Sequence, residues 1–280
     1  MESFAQTRSD RIRPESAAAM SAASSAWYPA AVYAGAWLIA AVWLFGRGVG
    51  HVAGDLLPQF AQMAVPTFVG CWLRIRLGAE PLAVVGAARS HRSVWRAVLA
   101  CLAVAAVATP ADLGVSLTTL RLSEYFRGAK YGAGQRTLFF GLDRLPFVTA
   151  FLLWTSLSEE AIYRLGLLTS LVYTLRISLL AGRACAMELP AHMAVEDRAG
   201  ARSGVRIWRD PAFWAANLIQ AYIFGAVHAL VRGRGSSILT VLAAPPTWGG
   251  VVLGFLYWRF GIEAAVLTHL FGNLVVIFLL

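Results

Sequence analysis

Charge is what this 280-residue chain has least of. Asp, Glu, Lys and Arg make up 14% of it, against roughly 25% in ordinary soluble domains. Hydrophobic residues fill the difference at 58%, above the usual ~45–50%, and that balance excludes both a soluble globular domain and a disordered chain. There are three cysteines. Cys71 and Cys101 fall in apolar runs, Cys185 in a loop, and no CxxC pair exists. A disulfide scaffold and a cysteine-based zinc site are excluded together. Acidic residues are outnumbered 15 to 24, giving a formal charge of +9. The basic residues are nearly all Arg and lie between apolar runs. That pattern reads as topology signal and anionic-lipid contact, with no aromatic and basic interleaving of a nucleic-acid platform. No internal repeat is evident, which counts against an inverted-repeat transporter.

What the chain does have is apolar runs near the roughly 20 residues a bilayer needs. Seven can be read: Trp27 to Phe45, Leu56 to Leu77, Val94 to Ala108, Phe147 to Leu180, Pro211 to Val231, Ile238 to Trp258, and Ile262 to Leu280. Pro110 marks the end of the third or a kink in it. Leu113 to Phe126 reads as an interfacial amphipathic helix, and the glycines at 128, 132 and 134 as a loop. Residues 1–26, rich in Ser and Ala, read as a mobile tail. The Arg-rich stretch Gly182 to Asp210 reads as a loop outside the bilayer, its His192, Glu196 and Asp197 solvated. Lys and Arg counts in the connecting segments favour an inside N-terminus. The expectation is an all-α, polytopic transmembrane bundle of about seven spans, one integral membrane domain over 27–280, with a polar site enclosed by its later helices.

The fourth run breaks the apolar rule. Between FVTAFLLWTSL and LGLLTSLVYTL stands Ser158-Glu159-Glu160-Ala161-Ile162-Tyr163-Arg164. One charged side chain at the centre of a membrane helix costs roughly 2.5–3.5 kcal/mol, so three in six residues need partners or a task. On a helix Glu160 and Arg164 are i,i+4 neighbours and can pair. Glu159 points about 100° away and is left without that partner. The run has 34 residues and as one helix would reach about 50 Å, against a hydrocarbon core of about 30 Å. It must tilt, project from the membrane, or break near the glutamates.

Three more polar residues lie late in the chain. His228 ends Phe224-Gly225-Ala226-Val227-His228, and His269 and Asn273 share a helix face at i,i+4. A lone His on an apolar helix is commonly a packing residue; beside an intramembrane glutamate the pair is harder to read so. Water attack on an amide fits these groups. Glu159 can take a proton from water, a histidine can hold the same water and later protonate the leaving amine, and a His/Asn pair can donate to the developing oxyanion. Zinc is the competing use of one Glu and two His, but HExxH is absent and Asn is a poor zinc ligand. No GxSxG nucleophile motif occurs.

EExxxR, FxxxH and HxxxN, in that order and each in a late apolar run, resemble the CPBP family, the CAAX-processing and bacteriocin-processing glutamic-type intramembrane proteases also called the Abi family. Here the motifs are Glu159 to Arg164, Phe224 to His228, and His269 to Asn273. Tyr163 and the glycines Gly250, Gly254 and Gly261 also suit the pattern, and the resemblance spans roughly 145–280. It implies Glu159 as the catalytic glutamate working on water with His228. It implies His269 and Asn273 as the oxyanion hole, and Glu160, Arg164 and Phe224 as support. No metal and no cofactor are implied. The implied substrate is a membrane-embedded or lipidated protein or peptide, cut near its C-terminus or leader, in a multi-pass protein of a bacterial-type plasma membrane. One tension attends this reading: along their spans His228 lies much deeper than His269, so their meeting requires a short or broken helix. The alternative is a non-catalytic membrane partner or immunity protein that uses the same residues as a structural network. A weaker third possibility is a proton-coupled transporter with Glu159 as its carrier.

Overall fold

A computed structural model describes residues 13–45, 53–77, 79–89, 93–127, 145–186, 209–231 and 237–279. Among them every regular element is helical. In chain order these are α1 (Arg13–Phe45), α2 (Ala53–Arg76), the short α3 (Ala83–Arg89), α4 (Val94–Arg127), α5 (Leu145–Glu160), a π-helical segment (Ala161–Leu168), α6 (Thr169–Ala186), α7 (Pro211–Val231), the short α8 (Ile238–Leu242), α9 (Pro245–Phe260) and α10 (Ile262–Leu279). α1 and α2 pack together and against α5 and the π-helical segment, α7 lies along α9, and α4 covers α9 and α10. The bundle core includes Trp37, Leu165, Phe213 and Tyr257, all fully buried.

Two stretches, Val94–Val115 in α4 and Pro211–Val231, are long and apolar enough to cross a membrane; Ala26–Val42 and Ile262–Val276 are apolar but shorter. The other expected runs are interrupted by a break or by charges such as Arg74, Glu159, Glu160 and Arg164. Exposed apolar side chains are frequent along α4, with Trp95 and Val107 each 75% exposed.

Several local expectations are corrected. α1 starts at Arg13, so the second half of the expected tail is helical, in keeping with the high helix propensity of its alanines; residues 1–12 lie outside the described residues. Pro110 does not end the third run. α4 passes through it to Arg127, and the expected interfacial helix is simply its continuation. A proline removes one backbone donor, and neighbouring helices make that tolerable; here α9 and α10 flank α4. Cys185 lies in the last turn of α6 rather than in a loop. The glycines at 128, 132 and 134, and His192, Glu196 and Asp197, lie outside the described residues.

The most consequential correction concerns the sixth run. It is not one helix: α8 ends at Leu242, Ala243 and Ala244 turn, and α9 begins at Pro245. Proline is favoured there because the first helical turn does not need its N–H. Thr247 Oγ1 donates to Val241 O, and Trp248 Nε1 to Leu242 O at 2.9 Å, closing the break. α9 therefore has 16 residues and rises only about 24 Å. Its far end turns sharply at Gly261, whose φ of 98° disfavours any side chain. The turn is locked from both sides. Glu263 accepts from the N–H groups of Ala83 and Val84 at the start of α3, at 2.9 and 3.0 Å. Buried Arg74 donates to Trp258 O at 3.1 Å and lies over the Tyr257 ring. A short α9 and a fixed turn bring the middle of α10 level with the end of α7.

Candidate active site

The site is assembled around the junction of α5 with the π-helical segment. α1 fixes the turn before the glutamates: Tyr33 donates to Leu157 O and Trp37 Nε1 to Ser158 Oγ, both at 2.7 Å. Immediately after Glu160 the helix widens to i→i+5 pairing, and Thr169 N–H donates to Arg164 O five residues back. Such widenings are uncommon and often occur at functional positions. The Thr169 hydroxyl also donates to Arg164 O, at 3.0 Å, and meets Tyr257 Oη at 2.9 Å. The long fourth run thus neither ends nor breaks. It changes pitch.

The two adjacent glutamates part company there. Glu160 is fully buried, with Oε2 3.1 Å from Arg164 Nε, so the expected i,i+4 pair is present. The N–H directions make it an electrostatic pair rather than a directed hydrogen bond. Arg164 is likewise fully buried, its guanidinium 4.9 Å from the centre of the Phe224 ring. Glu159 keeps 30% of its side chain exposed and turns to the histidines, Oε1 3.8 Å from His228 Nε2 and Oε2 3.6 Å from His269 Nε2. These separations are within ion-pair reach and longer than hydrogen bonds.

Each imidazole is held from behind. His228 Nδ1 lies 2.9 Å from Phe224 O, a carbonyl that can only accept, so Nδ1 carries the proton and Nε2 faces Glu159. His269 Nδ1 donates to Glu160 Oε1 at 3.0 Å, again leaving Nε2 toward Glu159. Phe224 is the shared wall, with ring centres 4.8 Å from Tyr163, 4.3 Å from His228 and 6.3 Å from His269. Its own helix is drawn onto α9 by glycine: a Cβ on Gly250 would press on Ala221 and Phe224.

Glu159, Glu160, Arg164, Phe224, His228 and His269, from three separate helical stretches, are therefore joined by contacts of a few ångströms. Asn273 follows one turn after His269 on α10 and is half-buried. Among those residues no group of three or more His, Cys, Asp or Glu is arranged to hold a metal ion. Asp112 of α4 was not foreseen. It lies two residues after Pro110, just past the expected end or kink of the third run, and is a buried carboxylate that feels the charges of His269, Arg164 and Glu160.

Residues 141–275 match the family model described as Type II CAAX prenyl endopeptidase Rce1-like. The similarity of that segment is to the CPBP family. Comparison with curated proteins gives no match, and neither does comparison with solved structures. The matched segment contains every motif residue named above, from Glu159 to Asn273. Asp112 lies outside it.

Proposed function

We propose that this protein is an intramembrane endopeptidase of the glutamic type, cutting a peptide bond near the C-terminus or leader of a membrane-embedded or lipidated protein. The observation that carries the reading is the approach of one partly exposed carboxylate to two imidazoles, at 3.8 and 3.6 Å, in the middle of an apolar bundle. Glu159 and the Nε2 atom of His228 are both proton acceptors facing one another. A water molecule between them can donate one hydrogen to each, which orders its lone pair for attack.

In the forward step the water oxygen bonds to the amide carbon and its proton passes to Glu159. The carbonyl oxygen becomes an oxyanion, received by the Asn273 side-chain amide and by Nε2–H of a doubly protonated His269. One such donor is typically worth about 2.7–4 kcal/mol. Glu160, at 3.0 Å from Nδ1, stabilises that imidazolium and orients its ring. Collapse breaks the C–N bond, and the proton held by Glu159 reaches the leaving nitrogen directly or through His228. The products are a carboxyl terminus and an amine. Glu160 and Arg164 are positioning residues here, since neither is exposed to substrate. The wider reading is of one multi-pass membrane domain whose later helices surround the site, working without a metal.

The test is cleavage by purified enzyme of a membrane-anchored peptide library, with products read by mass spectrometry. Glu159→Gln should abolish product while the protein stays folded. Turnover at the parental rate in that variant would remove Glu159 from the mechanism. A variant that loses stability or complex formation, with no turnover in the parent, would favour a structural role as a non-catalytic partner instead.

A further inference from the structure

Among the described residues, Asp112 is the one buried carboxylate near the site that no motif includes. It stands on α4, and its Oδ1 is buried without a hydrogen-bond partner. A buried acceptor without a donor costs about 1–3 kcal/mol, so its presence calls for a physical reason. Two glycines on the facing helices make room for it. A Cβ on Gly249 of α9 would lie 3.3 Å from Oδ1, and one on Gly272 of α10 would lie 3.6 Å from Oδ2. Gly272 is three residues after His269 and one before Asn273, so the carboxylate abuts the very turn of α10 that carries both. The charged groups acting on it are His269, Arg164 and Glu160.

The charge balance gives the reason. Glu159, Glu160 and Asp112 are three carboxylates against one guanidinium in a medium where uncompensated charge is expensive. A proton on one imidazole narrows that excess of negative charge, and His269 is the imidazole already held by Glu160 and facing Glu159.

The geometry points to Asp112 as a positioning residue of the active site, contributed by the half of the chain outside the protease-like segment, which helps hold His269 as the doubly protonated donor. This rests on the peptidase reading for its consequence but not for its observation. Asp112 touches no substrate in this role; it acts through His269 alone.

The experiment is nitrogen-15 NMR of the histidine rings in the full-length protein in lipid nanodiscs, with His269 and His228 assigned by substitution. Asp112→Asn, which keeps shape and removes charge, should move the His269 ring nitrogens toward the neutral pattern at neutral pH and leave those of His228 unchanged. Gly249→Ala, which presses a methyl against Oδ1, should do so in part. In turnover, Asp112→Asn should lower kcat about tenfold with KM little changed. Unchanged His269 signals, or equal movement of both histidines, would overturn the proposal. So would a lower unfolding temperature as the sole effect. These signals need no turnover: an active Glu159→Gln variant would sink the peptidase reading and leave the NMR result standing. A silent His269 beside an inactive Glu159→Gln would do the reverse.

Discussion

Glu160 and His269, 109 positions apart in sequence, meet at 3.0 Å through Oε1 and Nδ1, and the same carboxylate holds Arg164 with its other oxygen. Glu160 is therefore the point where the first and last motifs of the chain are tied together, while its partly exposed neighbour Glu159 faces His228 and His269.

The adjacent glutamates should behave oppositely on substitution. Glu160→Gln leaves a fully buried guanidinium without its counter-charge, which is typically destabilising by about 3–5 kcal/mol. Thermal unfolding in detergent should show a large loss for Glu160→Gln and almost none for Glu159→Gln, whose side chain is 30% exposed. Equal losses in the two would contradict this division.

Arg164→Lys is not a conservative change at this position. Arg164 pairs with Glu160 through Nε and lays its flat guanidinium over Phe224 at 4.9 Å. An ammonium keeps the charge but loses the planar stacking, worth about 2 kcal/mol when desolvated. Unfolding measurements should show a loss of that order, smaller than for Glu160→Gln.

Gly70 of α2 touches the backbone of Leu165 in the π-helical segment, and a Cβ there would overlap the Leu165 carbonyl. Gly70→Ala should cost about 1–3 kcal/mol by overpacking and should reduce turnover, because Arg164 is the preceding residue. Gly35→Ala is the control. It meets nothing within 4 Å and should be neutral or stabilise by up to about 1 kcal/mol.

Gly261→Ala tests whether the turn between α9 and α10 sets the depth of His269. With φ at 98° and the Glu263 carboxylate and Ala83 nitrogen close by, an alanine should cost about 1–3 kcal/mol. Turnover should fall further than stability alone explains, checked by comparing kcat at a temperature where both proteins are fully folded. A proportionate fall would mean that the turn matters only for folding.

Much of the fold was legible because its causes are local. Runs of apolar residues near membrane length, with Pro211 at a helix start, announce helices whatever surrounds them. Pro110 misled for the opposite reason. A proline reads as a helix end when only its own neighbours are considered, but α9 and α10 support α4 across it. Asp112 went unnoticed with it, since its relevance depends on Gly249 and Gly272 more than a hundred residues away.

The linear chain alone determined that this is an all-helical membrane protein, that Glu160 and Arg164 pair, and that Glu159, His228 and His269 are costly enough in an apolar setting to need a shared purpose. Helical periodicity suffices for each of these, since it acts over a turn or two. Tertiary structure decided that the sixth run breaks at Ala243 and Ala244, which shortens α9 and lifts His269 level with His228. It also decided that Glu160 takes His269 Nδ1 as well, and that α4 brings Asp112 to the same place. Those outcomes depend on helix lengths and on which small residues let helices approach, and no local pattern specifies them.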